Sequence, residues 1–266
     1  MKKYEELDIT DPFIFAKVMS EKELCKPLLE NILNIKIRDI VYVDYEETIQ
    51  MTAKSKGIRL DIYVEDDNNT VFNIEMQTTT YKELPKRSRY YQGIIDLNMI
   101  EKDESYDILK ESYVIFICTF DFFGKNKCIY EFENLCIDDC GIKLNDGTHK
   151  IFLNTKGDKK GINKELKSLL EYFDGKEPES DLTKQIDEKV IAGRKNTRWR
   201  REYMSLQMEM NLKYREGLKA GEAKGQENIN KLNTILLAEK RYDDLEKSAK
   251  DIEYQNKLMK EYKIIE

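Results

Sequence analysis

The sequence has few of the residues on which several common kinds of catalytic site depend. Its 266 residues include one histidine, His149, and one tryptophan, and they contain neither a G-x-S-x-G segment nor a phosphate-binding P-loop. A serine–histidine–aspartate triad is therefore not expected. If the protein is an enzyme, we expect its chemistry to depend on carboxylates and a bound metal ion.

The cysteines do not follow the pattern of a disulfide scaffold or of a structural zinc site. There are five of them, an odd number, and Cys136 and Cys140 are separated by three residues rather than two. His149 follows them without a second histidine, whereas structural zinc sites usually have four ligands. We therefore expect reduced thiols.

Long apolar segments are also absent. The longest apolar run, residues 113–118, is far shorter than the roughly 20 residues that cross a bilayer. The first ten residues lack the apolar centre of a signal peptide, so we expect a cytoplasmic protein that does not contact membranes. The net charge of -6 argues against a basic nucleic-acid coat, so any contact with a polyanion must come from a local cluster.

The spacing of apolar and turn-forming residues predicts an α/β chain. Within a helical region at 8–34, Asp11 is expected to cap a helix with Pro12 at its first position, and Ser20 with Glu23 forms a capping-box pattern for a second helix. Pro27 should mark a start or a kink. The other predicted elements are strands at 37–50, 58–65, 70–77, 112–120, 128–132 and 150–154, and helices at 85–102 and 162–174.

Composition changes near residue 178, which suggests a division of the chain. We predict a core domain at 1–178 and a small helical tail at 229–266. The segment between them, 179–228, is charged and repeats glycine every four residues at Gly217, Gly221 and Gly225. Its pattern is typical of a linker or an exposed helix.

Two carboxylates are expected to meet on a β-hairpin. The strands at 58–65 and 70–77 flank the turn sequence Asp-Asp-Asn-Asn, and a symmetric register sets Asp61 opposite Glu75. Opposed residues share a face, and like charges there are unfavourable. A divalent cation such as Mg²⁺ would offset the repulsion and could activate water. The alternative is a solvated hairpin on which Arg59 neutralises a carboxylate, and spacing alone leaves both open.

One basic run stands out against the acidic average. Residues 189–201 contain no acid, and Trp199 lies among the six cations, which are Lys189, Arg194, Lys195, Arg198, Arg200 and Arg201. Contacts of such side chains with phosphates dominate nonspecific affinity for DNA. The alternative is a solvated helix whose basic side chains pair with acids elsewhere in the chain.

Several segments together resemble a known nuclease family. The segments R-L-D-I-Y-V (59–64) and N-I-E-M-Q (73–77) resemble the core of PD-(D/E)XK nucleases. More narrowly, the chain resembles the Rpn family of recombination-promoting nucleases, also called PD-(D/E)XK nuclease family transposases. The resemblance extends over nearly the whole chain, through D-I-T-D-P-F-I-F (8–15), P-L-L-E-N-I-L (27–33), K-R-S-R-Y-Y-Q (86–92) and S-Y-V-I-F-I-C-T-F-D-F-F-G (112–124).

This resemblance implies a restriction-endonuclease-like mixed sheet flanked by helices, with the charged helical segment as a C-terminal extension. Asp61 and Glu75 would bind Mg²⁺ or another divalent cation such as Mn²⁺ or Ca²⁺. Gln77 would stand where the wider superfamily has lysine, and a glutamine amide brings neither positive charge nor acid–base capacity. Glu30 matches an acidic residue that the superfamily often carries on its first core helix.

DNA is the partner that these features imply. Arg87 and Arg89 open the helix after the hairpin, where positive charge suits phosphates. The chain is therefore expected to be a metal-dependent DNA endonuclease associated with recombination, mobile elements or defence. One alternative is a catalytically degenerate nuclease fold that binds DNA or serves in assembly. Another is a helical interaction protein that forms homo-oligomers through its C-terminal region.

Overall fold

The computed structural model describes residues 2–49 and 58–265 and confirms an α/β chain. The end of the strand expected at 37–50 and the residues up to 57 lie outside the described part, as does the Arg59 side chain. The helices are α1 (Pro12–Met19), α2 (Lys22–Leu33), α3 (Leu84–Met99), α4 (Lys164–Phe173), α5 (Asp181–Arg194), α6 (Thr197–Ala238), α7 (Tyr242–Lys250) and α8 (Ile252–Glu261). The strands are β1 (Ile40–Ile49), β2 (Ile58–Asp66), β3 (Val71–Gln77), β4 (Ser112–Cys118), β5 (Ile129–Phe132) and β6 (Thr148–Asn154).

The strands form one mixed sheet in the order β1-β2-β3-β4-β6-β5. Strands β1, β2 and β3 are antiparallel, β3, β4 and β6 run parallel, and β5 returns antiparallel along the edge. Helix α3 covers one face, where its buried residues pack against those of β2, β3, β4 and β6. Helix α1 contacts β1, β2 and β3. The expected mixed sheet with flanking helices is confirmed.

The β2–β3 hairpin has the predicted symmetric register, with Glu65 opposite Val71. Its turn is stabilised by the Asp66 side chain, which accepts hydrogen bonds from the backbone N–H groups of Asn68 and Thr70. Asn69 adopts φ 60°, a left-handed conformation that asparagine tolerates better than most residues. Turn chemistry and alternation of apolar residues therefore specify the same pairing.

The caps of α1 and α2 agree only in part with those predicted from the sequence. The Asp11 side chain caps α1 by accepting from the N–H groups of Phe13 and Ile14, as predicted. The capping box at Ser20 is wrong, because Ser20 ends α1 in an αR conformation and an N-cap residue needs an extended one. Glu21 precedes α2, and Pro27 lies inside that helix.

The chain divides into two compact units, residues 1–200 and 201–266. Helix α5 belongs to the first unit, where it packs against α1, α2 and α4 and buries Leu182, Ile186 and Val190. The division expected at residue 178 therefore falls inside this unit, between α4 and α5. The segment expected as a linker or exposed helix is helical, since it comprises α5 and most of α6.

The second unit contains most of α6 together with α7 and α8. Its small core consists of Leu232, Leu236, Leu258 and Met259, all within the predicted helical tail at 229–266. Among the described residues, no helix combines the length and the hydrophobicity needed to cross a membrane.

Two glycines in α5 and α6 have contrasting surroundings. Gly193 is buried, and a Cβ added there would lie 2.4 Å from Cζ3 of Trp199. The hydroxyl of Tyr4 donates to the Gly193 carbonyl at 2.6 Å, which holds the glycine close to the N-terminal segment. Gly217 is exposed on α6, and a Cβ there would meet nothing within 4 Å.

We predict opposite effects from Gly193→Ala and Gly217→Ala. The first should destabilise the protein by about 1–3 kcal/mol through overpacking, whereas the second should stabilise α6 by about 0.5–1 kcal/mol because alanine favours helix more than glycine does. Denaturant unfolding followed by circular dichroism measures both. Fluorescence of the single tryptophan should change in the folded Gly193→Ala protein only. Equal stability changes in the two variants would contradict the tight packing of Trp199 on Gly193.

Candidate active site

The structure brings Asp61, Glu75 and Gln77 to one region of the sheet. The hairpin register places Ile62 opposite Ile74, and Asp61 and Glu75 come one residue further along each strand. Glu75 and Gln77 are two residues apart on β3, so they point to the same face. Glu75 is 2% exposed and Gln77 8% exposed, whereas Asp61 is half-buried.

Backbone groups hold both carboxylates in place. The Asp61 N–H donates to Oε1 of Glu75 at 3.2 Å, and the Met76 N–H donates to Oδ2 of Asp61 at 3.2 Å. Each carboxylate therefore accepts a hydrogen bond from the backbone of the neighbouring strand. These two hydrogen bonds restrict the side-chain conformations of Asp61 and Glu75 and hold both carboxylates in fixed positions on the hairpin.

The electrostatics of Glu75 are unfavourable for a bare carboxylate. Burial raises its pKa well above the usual range for glutamate, and the charge of Asp61 raises it further. The Asp61 N–H and the guanidinium of Arg87 act in the opposite direction. The buried Glu75 and the half-buried Asp61 would therefore provide oxygen ligands for a hard divalent cation, whose charge would offset their repulsion.

Arg87, predicted as a DNA contact, lies inside this cluster. Its Nη2 is 3.4 Å from Oε2 of Glu75, and its Nη1 donates to Oε1 of Gln77 at 3.1 Å. Nη2 also donates to the Tyr91 hydroxyl at 2.8 Å, and the guanidinium lies 5.7 Å from the centre of the Phe116 ring. The site thus has a positive charge, supplied by α3 rather than by residue 77.

Among the described residues, neither Glu30 nor Arg89 forms a hydrogen bond or ion pair with this group. Glu30, near the end of α2, accepts from the Ile37 N–H at 2.9 Å and lies 3.6 Å from Nζ of Lys36. These contacts tie α2 to the segment that follows it. Arg89 is exposed on α3. The catalytic role of Glu30 and the DNA contact of Arg89 stay predictions.

Three cations of the basic run, Lys189, Arg194 and Arg200, contact residues near the start of the chain. Lys189 forms a salt bridge with Glu21 at 2.7 Å, and Arg200 forms one with Glu5 at 2.9 Å. The Nε of Arg194 donates to the Leu7 carbonyl at 2.6 Å. The side chains of the other three, Lys195, Arg198 and Arg201, are exposed. Pairing with acids therefore accounts for part of the run.

A second group of possible ligands was missed from the sequence. Glu131, Glu133 and His149 each bring one ligand atom within 4.8 Å of the others. Sequence spacing left His149 without a partner, because the two glutamates precede it by more than a dozen residues. Only the register of β5 against β6 brings them together. The sequence does contain one indication of this group. Glu131 and Glu133 are two residues apart on either side of Phe132, a spacing that places both carboxylates on the same side of a strand.

The mixed sheet and the pair of acids on adjoining strands define a protein with a restriction-endonuclease-like α/β fold. The family model for PD-(D/E)XK nuclease family transposases matches residues 12–221, and the chain belongs to this family. The family predicted from the sequence is therefore confirmed, and it supports a nuclease-type function. Comparison with the curated proteins and with the solved structures found no match.

The raised pKa of Glu75 predicts a pH-dependent effect of Glu75→Gln on stability. Because the pKa of Glu75 is higher in the folded state than in the unfolded state, its protonation stabilises the folded protein. This stabilisation is complete below the ordinary glutamate pKa of about 4.3 and is lost as the pH rises through the raised pKa. Without metal, Glu75→Gln should therefore match the wild type at pH 4 and become increasingly more stable than it toward pH 8.

Thermal unfolding in a chelator across this pH range measures the difference. Glutamine keeps an oxygen that can accept from Asp61 and Arg87, so the comparison isolates the charge. A Glu75→Gln protein that melts below the wild type at pH 8 would mean that the ionised carboxylate contributes net stability through its hydrogen bonds.

Proposed function

We propose that the protein is a metal-dependent DNA endonuclease that hydrolyses phosphodiester bonds, and that it serves recombination, mobile elements or defence. The observation that carries this proposal is the Asp61–Glu75 pair, held by hydrogen bonds of adjoining strands in a chain of the PD-(D/E)XK family. A solvated hairpin would not require Glu75 to be buried beside a second carboxylate.

Asp61 and Glu75 are the residues that would hold the cation. Their donors are carboxylate oxygens, which suit Mg²⁺ and also Mn²⁺ or Ca²⁺. The burial of Glu75 beside Asp61 supports the assignment, because a nearby divalent charge would offset the repulsion between the two carboxylates. When bound, such a cation supplies an acidified water and offsets negative charge on the phosphate.

Gln77 and Arg87 together would take the place of the lysine that the wider superfamily has in its motif. The Gln77 amide can orient water or a phosphate oxygen, but it cannot take up or release a proton. Arg87 lies 3.1 Å from Gln77 and carries a permanent charge in a planar group that matches phosphate oxygens. Arg87 is therefore the residue of the cluster that would contact a DNA phosphate.

An alternative proposal is a catalytically degenerate nuclease fold used in DNA binding or assembly. The neutral Gln77 favours it, as does the salt bridge of Arg87 with Glu75. Assembly as a homo-oligomer is supported by α6, on which Met204, Met208 and Leu212 are exposed at intervals of four residues. Side chains four apart lie on one face of a helix, so a second helix could cover them.

Cleavage of supercoiled plasmid DNA separates the two proposals. In Mg²⁺ or Mn²⁺ the wild type should nick the plasmid, and Asp61→Asn and Glu75→Gln should each reduce the rate by at least roughly 100-fold, because a cation contributes several kcal/mol to the transition state. Arg87→Gln should lower the rate more than Arg87→Lys, which keeps the charge.

Glu65→Gln is the matched control, since Glu65 also lies on β2 but accepts from the Tyr63 hydroxyl instead of joining the cluster. Its rate should equal that of the wild type. Glu30→Gln tests whether Glu30 is catalytic. Equal nicking by the wild type and by Asp61→Asn would identify a contaminant and support the degenerate fold.

Salt dependence of DNA binding tests the basic run. Replacing Lys195, Arg198 and Arg201 with glutamine should make the slope of log affinity against log salt shallower by roughly 0.9 for each lost contact with a duplex phosphate. Replacing the exposed Lys219, Lys224 and Lys257 removes the same charge from elsewhere and should leave the slope nearly unchanged. Similar changes in both triple variants would point to overall charge rather than contacts by the run, and Arg194 and Arg200 would lose their proposed role as well.

A further inference from the structure

The Glu131, Glu133 and His149 group lies at the edge of the sheet away from Asp61 and Glu75. Strands β5 and β6 are antiparallel, with Phe132 opposite Lys150, so the next pair in register is Glu133 and His149. Glu131 is two residues from Glu133 and points to the same side of the strand. One ligand atom from each of the three side chains lies within 4.8 Å of the others.

The imidazole of His149 is held in a fixed orientation. It stacks on the Tyr113 ring, with centroids 4.4 Å apart and an angle of 8° between the planes. The Tyr113 hydroxyl donates to Oε2 of Glu111 at 2.9 Å, and the same oxygen lies 3.9 Å from Nε2 of His149. Stacking therefore orients the ring with Nε2 toward Glu111 and its other nitrogen toward Glu133.

That other nitrogen, Nδ1, faces the glutamates. It lies 3.7 Å from Oε1 of Glu133, and it is buried without a hydrogen-bond partner among the described residues. Buried polar atoms are generally satisfied, so an orphaned imidazole nitrogen beside two carboxylates calls for a ligand. Lys143 contacts the other oxygen of Glu133, Oε2, at 2.5 Å and leaves Oε1 facing the ring.

Negative charge accumulates around this position. The carboxylates of Glu111, Glu131 and Glu133 all lie near the His149 ring. Glu111, Glu133 and His149 also line a cavity of about 520 Å³, which gives an ion access from solvent. A cation between the glutamates and Nδ1 would satisfy the nitrogen and reduce the repulsion.

We propose that Glu131, Glu133 and His149 bind a divalent transition-metal ion, for which Zn²⁺ is the probe. One imidazole and two carboxylates suit Zn²⁺ better than Mg²⁺ or Ca²⁺, which prefer oxygen ligands throughout. Three protein ligands leave a further position for water or another group. The ion would link the edge strand β5 to β6.

This site is separate from the proposed nuclease site, so either can fail without the other. The strand register aligns Phe72, Tyr113 and His149 in one row across the sheet, and it aligns Glu75 with Phe116 and Phe152 in another. The two rows are three residues apart along each strand, an odd number, so their side chains point to opposite faces.

Nitrogen-15 NMR of histidine-labelled full-length protein tests the proposal, because the chain has a single histidine. One equivalent of Zn²⁺ should shift the Nδ1 resonance, whereas Mg²⁺ at the same concentration should not. Glu131→Gln and Glu133→Gln should each abolish the shift at one equivalent. Glu111→Gln should weaken Zn²⁺ binding by roughly 10–100-fold, the usual effect of losing the partner that orients a ligand.

The exposed Glu188 on α5 provides the matched control, and Glu188→Gln should respond to Zn²⁺ as the wild type does. Circular dichroism establishes that each variant is folded before titration. An Nδ1 resonance that does not move with Zn²⁺ would overturn the proposal. So would a shift that persists in both glutamate variants, because His149 would then bind the ion without the carboxylates.

Discussion

The site depends on one constraint, the burial of the Glu75 carboxylate beside Asp61. A buried charge is costly unless hydrogen bonds or an opposite charge compensate it. Glu75 receives an N–H from Asp61 and lies against the guanidinium of Arg87. The first contact requires the register of the β2–β3 hairpin, and the second requires α3 to lie over it. A slip of one residue would turn every side chain of β3 to the other face and separate the two carboxylates.

In the proposed site, Arg87 would supply the positive charge that is missing if Gln77 stands where the wider superfamily has lysine. The positive charge is present, but it comes from α3 and contacts Gln77 and Glu75 from the side. A guanidinium keeps its proton at all accessible pH values, so it can hold phosphate but cannot act as a general base. Water activation in the proposed reaction would therefore depend on a cation bound by Asp61 and Glu75.

The two halves of the sheet have different chemistry. The antiparallel β2–β3 hairpin carries the Asp61–Glu75 pair, whereas β5 and β6 at the other end of the sheet bring His149 beside carboxylates. Both groups arise where acids on one strand face residues of the next strand. Oxygen ligands alone suit Mg²⁺, and the imidazole shifts the preference of the second group toward transition metals.

Local patterns in the sequence determined the hairpin, its register and the Asp11 cap, because alternation, turn residues and capping side chains act over a few residues. The pairing of Asp61 with Glu75 followed from that register. The sequence did not predict that α5 belongs to the core. Its apolar residues Leu182, Ile186 and Val190 are spaced four apart among charged residues, and their burial depends on packing against α1, α2 and α4. Tertiary structure alone placed Arg87 on Gln77 and His149 beside Glu133. Such contacts depend on how helices and strands pack across the sheet. The spacing of residues along the chain does not specify which of these side chains come into contact.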